Sequence, residues 1–148
     1  MQFRISFDEI QGLLFRHSSK HIQLQYVDTH TVRVAADVNV LFKTASVAID
    51  ITVDRIEGTD LLLSYSGGMG IEMMLKMVMT KMKDRPGMEM LELLDDNHLM
   101  LHLGQSPKLA QIFDRIGLRD IYFDEQWTTV DITPVLHQDT EVEVSETE

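Results

Sequence analysis

Gly70-Ile71-Glu72-Met73-Met74-Leu75-Lys76-Met77-Val78-Met79-Thr80-Lys81-Met82-Lys83 is the stretch on which the reading of this chain turns. At about 100° per residue, Ile71, Met74, Leu75, Val78, Met79 and Met82 share one face, the i, i+3, i+4, i+7 pattern of a buried helix. Met73 and Met77 widen the apolar arc to about 240°. Glu72, Lys76, Thr80 and Lys83 occupy the polar strip that remains. A stripe of about 100° is enough to pack a helix on one flat sheet. The excess predicts a curved sheet wrapped round the helix, or a second apolar partner, either a protein surface or a greasy ligand. Eight of the 10 methionines fall between Met69 and Met90.

The bulk numbers exclude several classes. A chain of 148 residues is the usual size of one domain and can bury a core without staples. It has no cysteine, hence no disulfide framework and no thiolate metal site. A net charge of −11 argues against a nucleic-acid partner, which needs a basic surface. Five acidic residues (Asp139, Glu141, Glu143, Glu146, Glu148) crowd the last ten positions and leave the rest at −6. We therefore read residues 1–137 as one domain and 138–148 as an acidic disordered tail with little apolar surface to bury. The start, Met1-Gln2-Phe3-Arg4-Ile5-Ser6-Phe7, has no basic segment leading into an apolar run. No secretory signal is read there, and a cytoplasmic location is expected. No stretch approaches the roughly 18 apolar residues of a membrane span.

Along the chain, a strand over Gln2 to Ile5 leads to a helix. Ser6 and Glu9 form a capping box, with Ile5 and Ile10 at the staple positions. Ile10, Leu13 and Leu14 face one way, and Gly12 predicts a short helix. A meander follows. Ile22, Leu24 and Tyr26, then Val32 to Val40, then Val47 to Val53, then Leu61, Leu63 and Tyr65 alternate apolar with polar. Period two marks antiparallel strands with one buried face. Short links at Asp28–His30 and Lys43-Thr44 predict hairpins, and Gly58 a turn. Two of these strands read long, which favours curling. Pro86 and Gly87 stop the methionine helix. Asp95-Asp96-Asn97 reads as a turn, and Leu99, Leu101 and Leu103 as a strand face. Ser106-Pro107 caps a helix through Ile116, with Gly117 at C′ and Leu118 meeting Phe113. Ile121 and Phe123, then Val130 and Ile132, give two last strands. The fold class is α+β: a curved antiparallel meander packed on one long Met-rich helix, with two shorter helices. Ile71, Met74, Leu75, Val78, Met79 and Met82 are expected to bury against Val32, Val34, Val47, Ile49 and Ile51.

No constellation carries chemistry. Ser66-Gly67-Gly68-Met69-Gly70 lacks a third glycine at Met73 and any following Lys-Ser/Thr pair, so it reads as a linker. Glu72 would repel an anion there. His98 and His102 would share a metal on a helix, but on a strand they stand about 13 Å apart. They read as exposed polar-face residues. Asp95, Asp96 and Asn97 are turn formers first. No Ser–His–acid set can be assembled. No catalytic residue, metal site or cofactor is read, and the chain is expected not to be an enzyme.

The meander Ile22 to Tyr65 beside an apolar helix resembles the bacterial tubular lipid-binding (TULIP-type) fold. The start Ile5-Ser6-Phe7-Asp8-Glu9-Ile10 is similar to how some members begin. Leu99 to Leu103, Ser106 to Ile116 and the final strand pair resemble their second half. The resemblance implies a curved sheet around a helix, acyl chains held in the seam and units that pair end to end. The over-wide apolar face, which a single flat sheet would not cover, leads to the expected function: binding of an apolar molecule, an acyl chain above all, between the methionine helix and the sheet. The expected lining is Met73, Met74, Met77 and Met79, with Tyr26 or Tyr65 as a polar handle. The alternative is a structural or assembly module, for example a homodimer, that uses the Met-rich helix or a sheet edge as an interface.

Overall fold

The computed structural model describes residues 1–18, 21–40, 43–68, 71–82, 84, 88–94 and 97–135. The chain is α+β and mostly antiparallel sheet. In order it runs β1 (Gln2–Ser6), α1 (Phe7–Ser18), β2 (Ile22–Asp28), β3 (Thr31–Val40), β4 (Lys43–Glu57) and β5 (Asp60–Gly67). Then come α2 (Ile71–Met82), a 3-10 turn (Met88–Met90), β6 (Leu91–Leu93) and β7 (His98–His102). A second 3-10 turn (Leu103–Gln105) precedes α3 (Pro107–Phe113), β8 (Ile116–Phe123) and β9 (Trp127–Pro134). The expected tail, 138–148, lies outside the described residues.

The strands make two sheets rather than one. Six pair in the order β2-β3-β4-β5-β7-β6, and three in the order β1-β9-β8. In the larger sheet Tyr26 stands opposite Val32, Val32 opposite Ile51 and Ile51 opposite Tyr65. The period-two alternation thus places these four side chains in one row on one face. Leu63 continues that face between Val53 and Leu99. Between Val53 and Arg55 the β4 register slips by one residue, a bulge at Asp54. The slip returns Ile56 to the apolar face, opposite Leu61.

Among the described side chains the core forms on β5 and β7. Leu61, Leu63, Tyr65 and Leu99 are its buried centre. Ile49, Ile51, Val53, Ile56, Leu118 and Ile121 pack against it. Leu118 and Ile121 belong to β8, so the smaller sheet seals this half of the larger one. Main-chain N–H of Phe123 also donates to the Thr29 carbonyl at 2.7 Å, which ties β8 to the β2–β3 turn.

The expectation of one long helix is corrected. α2 spans 12 residues, no more than α1. Among the described side chains its contact with the core runs through Leu75, while Ile71 lies over Gly67. The side chains of Met74, Val78 and Met82 lie outside the described ones. α1 in turn is longer than Gly12 suggested. The Ser6 hydroxyl accepts from Glu9 N–H at 3.1 Å and Glu9 Oε1 accepts from Ser6 N–H at 3.0 Å, so the predicted capping box starts it firmly. Gly12 is solvent-exposed, and a Cβ there would meet nothing within 4 Å.

Three local boundaries also move. Val40 pairs with Lys43, so Lys43 and Thr44, expected as the link between two strands, are themselves strand; residues 41–42 lie outside the described ones. α3 starts as read, with Ser106 Oγ accepting from Leu109 N–H at 3.4 Å, but it ends at Phe113 with Asp114 as its C-cap. Ile116 and Gly117 are strand residues that pair with Pro134 and Thr133. Of the expected turn at 95–97 only Asn97 is described, and its φ of 72° is the left-handed conformation such a turn needs.

Candidate functional site

Of the described side chains singled out as a ligand lining, Tyr65 lies deepest. β5 carries it between Leu63 and Gly67 on the apolar face, where it is 3% exposed. Among the described residues its hydroxyl has no hydrogen-bond partner. Tyr26 lies in the same row but on the edge strand β2, 39% exposed. Three strand spacings separate the two tyrosines, about 14 Å. They are not brought together.

The methionines divide by position on α2. Met79 is half-buried, whereas Met73 is 71% and Met77 54% exposed. The expected widening of the buried face by Met73 and Met77 is corrected. Both flank the polar strip, and the side of the helix that meets the core is that of Leu75. Met73 and Met77 line an open groove of about 360 Å³ together with Lys76 and Thr80. The Met74 side chain is outside the described ones.

A second constellation escaped the sequence reading. His102, read as an ordinary exposed histidine, stands between two carboxylates. Its Nδ1 is 2.9 Å from Asp60 Oδ1 and its Nε2 is 2.8 Å from Glu92 Oε1. Asp60 is the direct cross-strand partner of His102, and Glu92 comes from the edge strand β6. The two hydrogen bonds, Glu92 first and Asp60 second, hold the imidazole pKa above its ordinary 6.5. Both ring nitrogens are therefore engaged by carboxylates, so neither is turned to a nucleophile. The Ser64 hydroxyl donates to Asp54 at 3.0 Å. The signal that could have found the cluster is the register, which makes Asp60 and His102 opposite residues.

On the same outer face Arg33 forks onto Asp50, with Nε at 2.7 Å from Oδ1 and Nη2 at 3.2 Å from Oδ2. This bond lowers the Asp50 pKa and raises that of Arg33.

A third feature sits where the two sheets meet. The β8 register slips at Arg119, as the β4 register does at Asp54. Both bulged residues line a cleft of about 450 Å³ that also includes His30, Arg55 and Asp120. Its arginines are already answered: Arg55 is 2.6 Å from Glu57 and Arg119 3.9 Å from Asp131, while His30 Nε2 lies 3.6 Å from Asp120. The cleft has no surplus of either sign to attract an ion.

Among the described residues no group of three or more His, Asp or Glu side chains is arranged to hold a metal. No described helix is long and apolar enough to cross a membrane. No protein family, no curated protein and no solved structure matches the chain.

Proposed function

We propose that this chain is a non-enzymatic binding module that takes an apolar, lipid-like molecule in the seam between α2 and the six-stranded sheet. The observation that carries this reading is the Tyr65 hydroxyl, buried in the apolar core without a described partner. An idle buried hydroxyl costs about 1–3 kcal/mol. A carboxyl, ester or hydroxyl head of a bound amphiphile would satisfy it, with the chain of the ligand lying along Leu75 and the half-buried Met79. Methionine suits such a seam because it repacks around partners of different shape. In this picture α2 closes a curved sheet over the ligand. The resemblance to tubular lipid-binding proteins supports the same ligand class.

The test is native mass spectrometry of protein purified without detergent, followed by organic extraction and by calorimetric titration with fatty acids. A co-purified or saturably bound lipid is expected. Tyr65→Phe should melt higher when empty and bind fatty acid about tenfold more weakly, the equivalent of one lost hydrogen bond of about 1.4 kcal/mol. A clean extract together with no saturable heat overturns the reading.

A second reading, an assembly module, is favoured by the exposure of Met73 and Met77, 71% and 54%. Methionine is over-used on adaptable protein-binding surfaces. Here a homodimer is expected across α2. Sedimentation over a concentration series should then show it, and Met77→Lys should dissociate it. A wild-type monomer at every concentration removes the homodimer.

A further inference from the structure

Trp127 opens β9 directly after the turn Asp124-Glu125-Gln126. Asp124 builds that turn: its Oδ1 accepts from Gln126 N–H at 3.0 Å and from Trp127 N–H at 2.9 Å. The Asp124 N–H donates to the Trp127 carbonyl at 2.9 Å. The indole is thus placed by a fixed turn. One face of it already holds a cation. The Arg4 guanidinium carbon lies 4.6 Å from the ring centroid, and Arg4 Nη2 is 3.5 Å from Asp124 Oδ2.

The indole has a second use open to it. Trp127 also lines a groove of about 470 Å³ with Tyr26, Asp124, Glu125 and Gln126. Tyr26 comes from β2, the edge of the other sheet, so the groove crosses the junction of the two sheets. Neither aromatic belongs to the hydrophobic core. Asp124 is engaged by its turn and by Arg4. Glu125 is exposed, and among the described residues it forms no ion pair. Aromatic faces attract cations through their quadrupole, tryptophan most strongly, and a nearby carboxylate adds to the attraction. The net charge of −11 draws cations to the surface as a whole.

We propose that the Tyr26–Trp127 groove binds an organic cation, a guanidinium or alkylammonium group, between its aromatic walls with Glu125 as the counter-ion. Arg4 against the same indole is the chain's own example of the chemistry. The cation can be a free small molecule or the side chain of a basic peptide. The volume suits either, since small-ligand sites span about 300–1,000 Å³.

Trp127 is the single tryptophan, so its fluorescence reports on the groove directly. The full chain is titrated at constant ionic strength with N-acetyl-arginine amide, tetramethylammonium and the uncharged N-acetyl-citrulline amide. A saturable change with the cations and none with the citrulline compound is expected. Glu125→Gln and Tyr26→Ala should each weaken cation binding at least fivefold. Glu125 is exposed, so its variant keeps the test valid if Tyr26→Ala fails to fold. A short peptide centred on arginine that binds more tightly than the amide identifies a peptide as the source; equal affinity identifies a free cation. A response that is linear in concentration, the same for citrulline, or unchanged in Glu125→Gln overturns the proposal.

Discussion

Leu75 and Met73 stand on nearly opposite sides of α2. They are two residues apart, which on a helix is a rotation of about 200°. Leu75 packs against the core cluster formed by Leu61, Leu63, Tyr65 and Leu99, and Met73 is 71% exposed. Truncating the two should therefore differ sharply. Leu75→Ala is expected to cost about 2 kcal/mol, at the low end for a leucine that is only partly buried. Met73→Ala should change stability by less than about 0.5 kcal/mol. Leu75→Asp should unfold the domain, since it would press a charge into the core. Urea midpoints measure all three, and equal costs for the two alanine variants would contradict the placement of α2.

His102 makes stability depend on pH. Three strands supply the groups that face it or neighbour it: Asp60 from β5, Glu92 from β6, and His98 on β7 itself, whose Nε2 lies 4.0 Å from Asp54. The folded pKa of His102 is raised above 6.5. The stabilisation is then present in full below the ordinary value and is lost as pH rises through the folded one. Only a protonated ring can donate to both carboxylates at once. Denaturation midpoints should fall as pH is raised from slightly acid to alkaline, and His102→Gln should flatten that fall. The amides of Glu92 in β6 and of Leu94 just after it, which face β7, should lose protection on the alkaline side once the intrinsic rise of exchange with pH is divided out. A midpoint indifferent to the His102→Gln change would show the clamp to be idle.

The Arg33–Asp50 fork runs the other way. The Asp50 carboxyl is held below its ordinary 3.8, first by the hydrogen bond from Arg33, against the opposing effect of desolvation. Its stabilisation is present above that value and is lost as pH falls through the folded pKa. The two side chains are 46% and 26% exposed, so water and salt screen the pair. Asp50→Asn should cost only about 0.2–1 kcal/mol at neutral pH. It should cost nothing once the carboxyl is protonated, and less in about 1 M salt. A cost that persists at low pH would mean that the asparagine disturbs packing instead.

Alternation made the strands legible in the sequence, because period two is a local property that survives in any sheet. Ser6–Glu9 and Ser106–Pro107 were legible for the same reason: a cap is built within one turn. What the sequence hid depends on distant partners. The Asp54 and Arg119 bulges set which side chains share a face, yet no local pattern marks either. Splitting the strands into two sheets required β1 to find β9, so that Gln2 meets Asp131. Helical periodicity gave α2 a 240° apolar arc but could not say which part would be covered. The answer came from β5 and β7, whose core cluster took in Leu75, while Met73 and Met77 stayed exposed. Likewise the Asp60–His102–Glu92 cluster exists only once three strands are in register, and neither aromatic of the Tyr26–Trp127 groove predicts the other.

Gly67 governs how closely α2 approaches the sheet. It stands opposite Ile49 at the end of β5, just before the chain turns into the helix. A Cβ there would lie 2.9 Å from Ile71 Cγ1 and 3.4 Å from the Ala48 carbonyl oxygen. Carbon atoms rest about 3.5–4.0 Å apart, so Ile71 must move to admit even a methyl group. Ile71 and Leu75 are the described contacts of α2 with the sheet, and displacing the first should loosen the helix while the β5–β7 core stays intact. Gly67→Val is therefore expected to raise cleavage within residues 71–82 by limited proteolysis about tenfold, a local opening cheaper by about 1.4 kcal/mol. Gly68→Ala is the control, because a Cβ at Gly68 would meet nothing within 4 Å. Equal cleavage of the two variants would mean that Ile71 does not anchor α2. If the seam does hold a lipid, saturating fatty acid should restore protection to Gly67→Val, since a ligand that binds only the closed helix stabilises it by mass action.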